Sequence, residues 1–253
     1  MSDPKSWLLR APTKDARLRV FCFPYTGGGG AMFCRLPVPP GVDLIPLQYP
    51  GRQSRLREQP IDNLSELTRQ IIAVILPILQ QAPMVPFCFF GYSMGGVVAI
   101  RVAQRLQNQH CLSPRAMLFA ATVAPHKVEV ESPPIYTLPE AKFIARVTQI
   151  FSMSPMEVEV MSTQQAALRA DLQLIEDAAP FPEPCVAPLQ CPFVHFYGTA
   201  DTVYPRQFYE ALRSYTSGAV RTHILDGLGH FFDTAPQWRL LWEQELAAIL
   251  ARA

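Results

Sequence analysis

Three side chains, far apart in the chain, carry the chemistry that can be read from this sequence. Gly91-Tyr92-Ser93-Met94-Gly95 fits G-x-S-x-G, directly after the apolar run Phe87–Phe90 and directly before the helical run Val97–Leu106. A serine on such a strand-to-helix turn has its hydroxyl lifted above the sheet and set beside a helix N-terminus. There the backbone N–H groups and the helix dipole favour a developing negative charge. A serine hydroxyl is a weak nucleophile without a base, and the base needs an orienting acid. Downstream, the run Phe193–Tyr197 leads to Asp201, and the run Arg221–Leu225 leads to His230. Ser93, Asp201 and His230 are therefore the expected nucleophile, acid and base, in the chain order that nucleophile-elbow enzymes use. Asp226 and Asp233 are alternative acids, but each lies within about four residues of His230 on its own loop. His195 and His223 fall inside strands and read as packed residues. His110 and His126 read as surface or loop residues.

Acyl transfer also needs donors for an oxyanion. The segment Phe23-Pro24-Tyr25-Thr26-Gly27-Gly28-Gly29-Gly30 follows the first strong strand signal. It lacks a GKS or GKT ending and is not GxGxxG, so it is not read as a phosphate cradle. Its glycines let the backbone come close to a reacting carbonyl. The expected oxyanion pair is the N–H of Met94 with that of Tyr25 or Thr26. The histidines and cysteines show no metal-ligand spacing, and no metal is expected.

These residues need a scaffold that brings them to one edge. Short apolar runs alternate with helical patterns, which argues for a mostly parallel sheet flanked by crossover helices. The strand candidates are Leu18–Pro24, Asp43–Leu47, Phe87–Gly91, Ala116–Ala121, Phe193–Tyr197 and Arg221–Leu225. Leu64, Leu67, Ile71, Val74, Ile75 and Ile78 recur at helical spacing behind an Asp62-Asn63 cap signal, with Pro77 expected to kink or shorten that helix. Helices are also expected over Met94–Gln107, Arg206–Tyr215 and Pro236–Ala251. Residues 125–192 hold helical patterns (Pro139–Phe151, Pro155–Met161, Gln164–Ala178) and no convincing strand. They read as a helical insertion within a single domain spanning residues 1–253. Its apolar side chains, among them Phe151, Met153, Met156 and Met161, suit either a static cap or a mobile lid over Ser93.

Composition narrows the classes further. With 49% apolar residues among 253, the chain can bury a sizeable core. A net charge of +1 lacks the positive excess of a nucleic-acid binder. The 25 prolines, about twice the usual share, disfavour long-helix architectures. The N-terminal twenty residues show no signal-peptide pattern, and the longest apolar stretch, Pro83–Ile100, is broken by Pro86 and three glycines, so no membrane span is expected. The six cysteines, Cys185 among them, contain no CxxC pair. Free thiols and a cytoplasmic location are expected.

FPYTGGGG, YPGRQSR, GYSMGG, LRADLQLIED, YGTADTVYP and GLGHFF, in this order, resemble the type II thioesterases of polyketide and nonribosomal peptide synthesis. The likeness runs from about Val20 to the C-terminal helix, with Tyr92 where those enzymes commonly carry the histidine of GHSMG. The resemblance implies an α/β-hydrolase fold and hydrolysis of acyl thioesters from the phosphopantetheine arm of acyl or peptidyl carrier proteins. It implies a monomer needing no metal or organic cofactor. A general serine esterase or acyltransferase is the alternative, and a non-catalytic acyl-carrier-binding protein a third. Because carrier proteins are generally acidic on the face that delivers the arm, local positive charge is expected near the site. Arg55 and Arg57 are the docking candidates, while Arg52, inside Pro50-Gly51-Arg52, is expected to have a structural job.

Overall fold

The computed structural model describes residues 4–179, 181 and 188–252; Cys185 and the side chain of Met161 lie outside the described residues. Six strands, β1 (Leu18–Phe23), β2 (Val42–Pro46), β3 (Phe87–Tyr92), β4 (Met117–Ala120), β5 (Phe193–Gly198) and β6 (Val220–Leu225), form one sheet in the order β2-β1-β3-β4-β5-β6. Every neighbouring pair is parallel. All carboxyl ends therefore share one edge, where open α/β sheets place their ligands. The helices are α1 (Leu64–Leu79), α2 (Met94–His110), α3 (Glu140–Phe151), α4 (Pro155–Thr163), α5 (Gln165–Glu176), α6 (Arg206–Glu210) and α7 (Pro236–Leu250).

Side-chain alternation along the strands makes two cores. Phe21, Phe23, Phe89, Met117, Phe119 and Phe193 face one way, onto apolar residues of α1 and α2. Val20, Cys22, Cys88, Phe90, Leu118 and Phe196 face the other way, onto Trp238, Trp242 and Leu246 of α7. Such two-sided burial explains why the central strands read as unbroken apolar runs instead of alternating ones. Asn63 caps α1, its side chain accepting from the Glu66 N–H at 3.0 Å. The helix passes through Pro77 and ends at Leu79, two residues later. The expected helix over Arg206–Tyr215 is instead one α-turn, α6, followed by a tighter 3-10 segment, Ala211–Tyr215.

Helices α3, α4 and α5 all lie between β4 and β5 in the chain. Ile135, Phe143, Val147 and Leu168 form a small core of their own. Leu174 of α5 reaches instead into the main core beneath the sheet. No helix among the described residues is long and apolar enough to cross a membrane. The described cysteines, Cys22, Cys34, Cys88, Cys111 and Cys191, are free thiols.

Candidate active site

The turn between β3 and α2 is tight enough to dictate its residues. Ser93 sits at φ +50°, ψ −121°, a conformation that L-residues rarely hold unless their surroundings force it. The surroundings do. A Cβ at Gly91 would lie 2.3 Å from the Gly96 Cα, and one at Gly95 would lie 2.0 Å from the Phe23 carbonyl oxygen. Strand, turn and helix thus approach at distances only glycine permits, and β1 presses directly on the elbow. The Ser93 N–H continues the ladder to the Ala120 oxygen at 2.8 Å.

The structure brings all three residues singled out from sequence together at this edge. His230 Nε2 lies 3.0 Å from Ser93 Oγ, and His230 Nδ1 lies 2.8 Å from Asp201 Oδ2. The Asp201 and His230 side chains are almost wholly shielded from solvent. Burial pushes the Asp201 carboxyl up, but hydrogen bonds from His230, Tyr209 and the Val203 N–H outweigh it, and the group stays below its usual value. Asp201 is therefore held as an acceptor-only carboxylate beneath the imidazole. Asp226 bonds to the Thr199 hydroxyl, and Asp233 offers its backbone oxygen to Arg239, so neither alternative acid makes these contacts.

Two further residues shape this constellation. Tyr92 is fully buried. Its hydroxyl donates to the His230 carbonyl at 2.8 Å and accepts from the Phe232 N–H at 2.8 Å. It thereby pins both sides of the histidine loop. The departure from GHSMG was the sequence signal for this position, but a clamp spanning some 140 residues of chain could not be seen from spacing. Tyr209 of α6 donates to Asp201 Oδ2 at 2.5 Å, and burial raises its phenol well above its usual value, keeping it a donor. No motif marked Tyr209.

The glycine-rich loop lies beside the elbow as expected. Thr26 and Ser93 both line a cleft of about 470 Å³, together with Tyr25, Met153, Met156 and Phe231. They also line a smaller, mostly apolar cavity of about 90 Å³ that reaches Val97, Ile135, Glu176 and Tyr204. Phe151 of α3 borders both spaces and packs its ring 5.7 Å from that of His230. Ser93 thus sits where two chambers meet. A cleft of about 740 Å³ between α1 and α2 contains none of the three residues. No group of His, Cys, Asp and Glu among the described residues could hold a metal.

The arginines separate in the structure. Arg52 is buried and pairs with Asp171 of α5, in keeping with a structural job. Arg55, expected at the surface, is buried too. Its guanidinium lies 4.5 Å over the Trp7 ring and bonds both carboxylate oxygens of Glu58 and the Gln48 carbonyl. A planar, weakly hydrated cation can be buried against an aromatic face in this way, so Arg55 is not available for docking. Arg57 is exposed.

Residues 18–237 match a family model described as a thioesterase domain. The chain belongs to this thioesterase family. The thioesterase is 32% identical to the protein named linear gramicidin dehydrogenase LgrE of Brevibacillus parabrevis, over 94% of this chain and 91% of LgrE. It is 27% identical to thioesterase PikA5 of Streptomyces venezuelae, over 91% of this chain and 81% of PikA5. Among solved structures, the type II thioesterase BorB from the borrelidin biosynthetic cluster superposes with a TM-score of 0.79 at 25% identity, covering 99% of this chain and 98% of BorB. The α/β-hydrolase fold and the type II thioesterase resemblance both stand, and the enzyme is a thioester hydrolase.

Proposed function

We propose that this thioesterase hydrolyses acyl groups from the phosphopantetheine arm of carrier proteins in polyketide or nonribosomal peptide synthesis, by covalent catalysis at Ser93. The observation that carries the reading is the single imidazole bonded to Ser93 Oγ on one side and to a buried carboxylate on the other. His230 takes the serine proton as Oγ attacks the thioester carbonyl, and Asp201 fixes the tautomer and supports the imidazolium. The Met94 N–H, with that of Tyr25 or Thr26, receives the oxyanion. The pantetheine thiol leaves with a proton from His230. A water that gives its proton to the same ring then hydrolyses the acyl-serine. In this scheme the chain's own groups suffice, without metal or organic cofactor.

The larger cleft suits the arm and the smaller apolar cavity the acyl group, with side chains of α3, α4 and α5 lining the two spaces. The relatives' biosynthetic setting supports acyl or peptidyl carrier proteins as partners, and the proposal takes the enzyme to act as a cytoplasmic monomer. The test is a panel of acyl-carrier thioesters and simple oxygen esters, run with wild type and Ser93→Ala. Preferential, Ser93-dependent release from the carriers is expected. Faster turnover of oxygen esters favours the general esterase reading and sinks this one.

A further inference from the structure

Asp171, on α5, and Arg52, after β2, form a bidentate pair: Arg52 Nη1 to Oδ2 at 2.6 Å and Nη2 to Oδ1 at 2.8 Å. Both side chains are 1% exposed. A buried ion pair is weak evidence for stability, because desolvation can cancel the attraction. What distinguishes this one is its other contacts. Asp171 Oδ2 also accepts from the Gly27 N–H at 2.7 Å, and Arg52 Nη1 also donates to the Gly28 carbonyl at 3.2 Å. Gln48 continues the set, accepting from the Gly30 N–H at 2.9 Å and donating to the Arg52 carbonyl at 2.9 Å. The Gly27 N–H, the Gly28 carbonyl and the Gly30 N–H are thus each fixed by a charged or amide side chain from outside the loop. Leu168 of α5 packs on Gly27 as well, lying 3.1 Å from where a Cβ would stand.

We propose that Arg52 and Asp171 are positioning residues for the oxyanion-side loop, and that through them helix α5 sets the distance between that loop and Ser93. The proposal rests on the covalent reading of Ser93 given above. Gly27 cannot serve as an oxyanion donor while its N–H is held by Asp171, and the Gly28 N–H goes to the Tyr25 carbonyl at 2.8 Å, in keeping with Tyr25 or Thr26 as the loop's contribution. The loop's other end is already seated, since β1 runs into the elbow at Gly95. One flank of Tyr25–Thr26 is therefore set by the sheet and the other by an ion pair to the helical insertion. Helix α5 cannot swing away without releasing the loop, so any lid motion belongs to α3 and α4.

The test separates positioning from plain stability. Asp171→Asn keeps the shape but replaces one carboxylate oxygen with a donor. The double variant Arg52→Met, Asp171→Leu removes both charges and refills the volume, a change that often preserves stability. Each is measured for kcat and KM on a small acyl-pantetheine thioester, for melting temperature, and for binding of two probes. One probe is a trifluoromethyl ketone, whose adduct with Ser93 carries the oxyanion; the other is a thioether analogue of the substrate. Losing one oxyanion donor typically costs on the order of 100-fold in kcat, so a loss of about 10- to 100-fold is expected from misplacing one, with KM nearly unchanged. The ketone should lose affinity by a similar factor, and the thioether should not. A double variant of wild-type melting temperature but low kcat supports the proposal, and one with wild-type kcat overturns it. Equal losses on both probes overturn it in favour of a general pocket role. The probe arms stand even if the carrier-protein reading fails, because they do not depend on which thioester is the substrate.

Discussion

Tyr92→Phe removes one oxygen from the middle of the histidine clamp and changes nothing else in volume. In the wild type that oxygen holds the His230 carbonyl and the Phe232 N–H, both at 2.8 Å. His230 and Phe232 are 6% and 2% exposed, so water cannot take the vacated place. Each stranded buried group costs about 1–3 kcal/mol, giving a loss of about 2–4 kcal/mol once the loop relaxes. For a chain of this size, that corresponds to a drop in Tm of about 5–15 °C. The relaxation matters more for activity than for folding. A displacement of about 1 Å in a reacting group can cost on the order of 100-fold in rate, and the clamped loop carries the ring that must reach Ser93 Oγ. Thermal melts by circular dichroism and kcat on a small acyl-pantetheine thioester measure the two effects separately. A variant that keeps the wild-type Tm to within about 2 °C and kcat to within about threefold would refute the reasoning, because the clamp would then hold nothing that matters.

Ser93→Ala should lower kcat by about four to six orders of magnitude with an unchanged melt, since among the described residues its hydroxyl bonds only the His230 ring. Asp201→Asn should cost about 10⁴-fold through loss of the correct His230 tautomer; near-normal turnover would move the acid elsewhere. Gly95→Ala gains about 1 kcal/mol of helix propensity but meets the Phe23 carbonyl at 2.0 Å, so its urea midpoint should fall, and a rise would show that the elbow is slack. His195 is buried with an unpartnered Nε2, and burial pushes it down to about 3. The unfolded chain therefore binds more protons between about pH 6.5 and pH 3, and stability falls as the pH drops through that window. Between pH 7 and pH 4.5 the wild type should lose about 2.5 kcal/mol that His195→Phe does not, read from denaturant midpoints at the two pH values.

Ser93, Asp201 and His230 could be placed together from sequence because each follows a run that became a strand of one parallel sheet. Parallel strands gather their following loops at one edge, so three positions distant in sequence needed no further information to be placed together. The glycine-rich loop was legible for the same reason. The clamp at Tyr92 and the second bond on Asp201 from Tyr209 were not, because they depend on which way a side chain points across the gap between two loops. Arg55 shows the limit most plainly. Its neighbours, Arg52 and Arg57, gave the run the look of a charged surface, and nothing in the local pattern announced that Trp7, nearly fifty residues earlier, would lay its ring against the guanidinium. Strand ends shifted by a residue or so where a proline or glycine allowed either assignment, as at Pro24 and Gly198.

The histidine hangs from the least secure strand of the sheet. β6 is an edge strand, pairs with β5, and leaves most of its side chains in solvent. Its ties to the body run through Arg221 and His223 to Glu245 of α7, and through the clamp just beyond it. The nucleophile, by contrast, rises from β3 at the centre of the sheet. The two halves of the site therefore belong to regions of different local stability. On warming, fraying at this margin uncouples base from nucleophile while the interior is still intact, so turnover fades at a lower temperature than the melt, and returns on cooling without any need to refold.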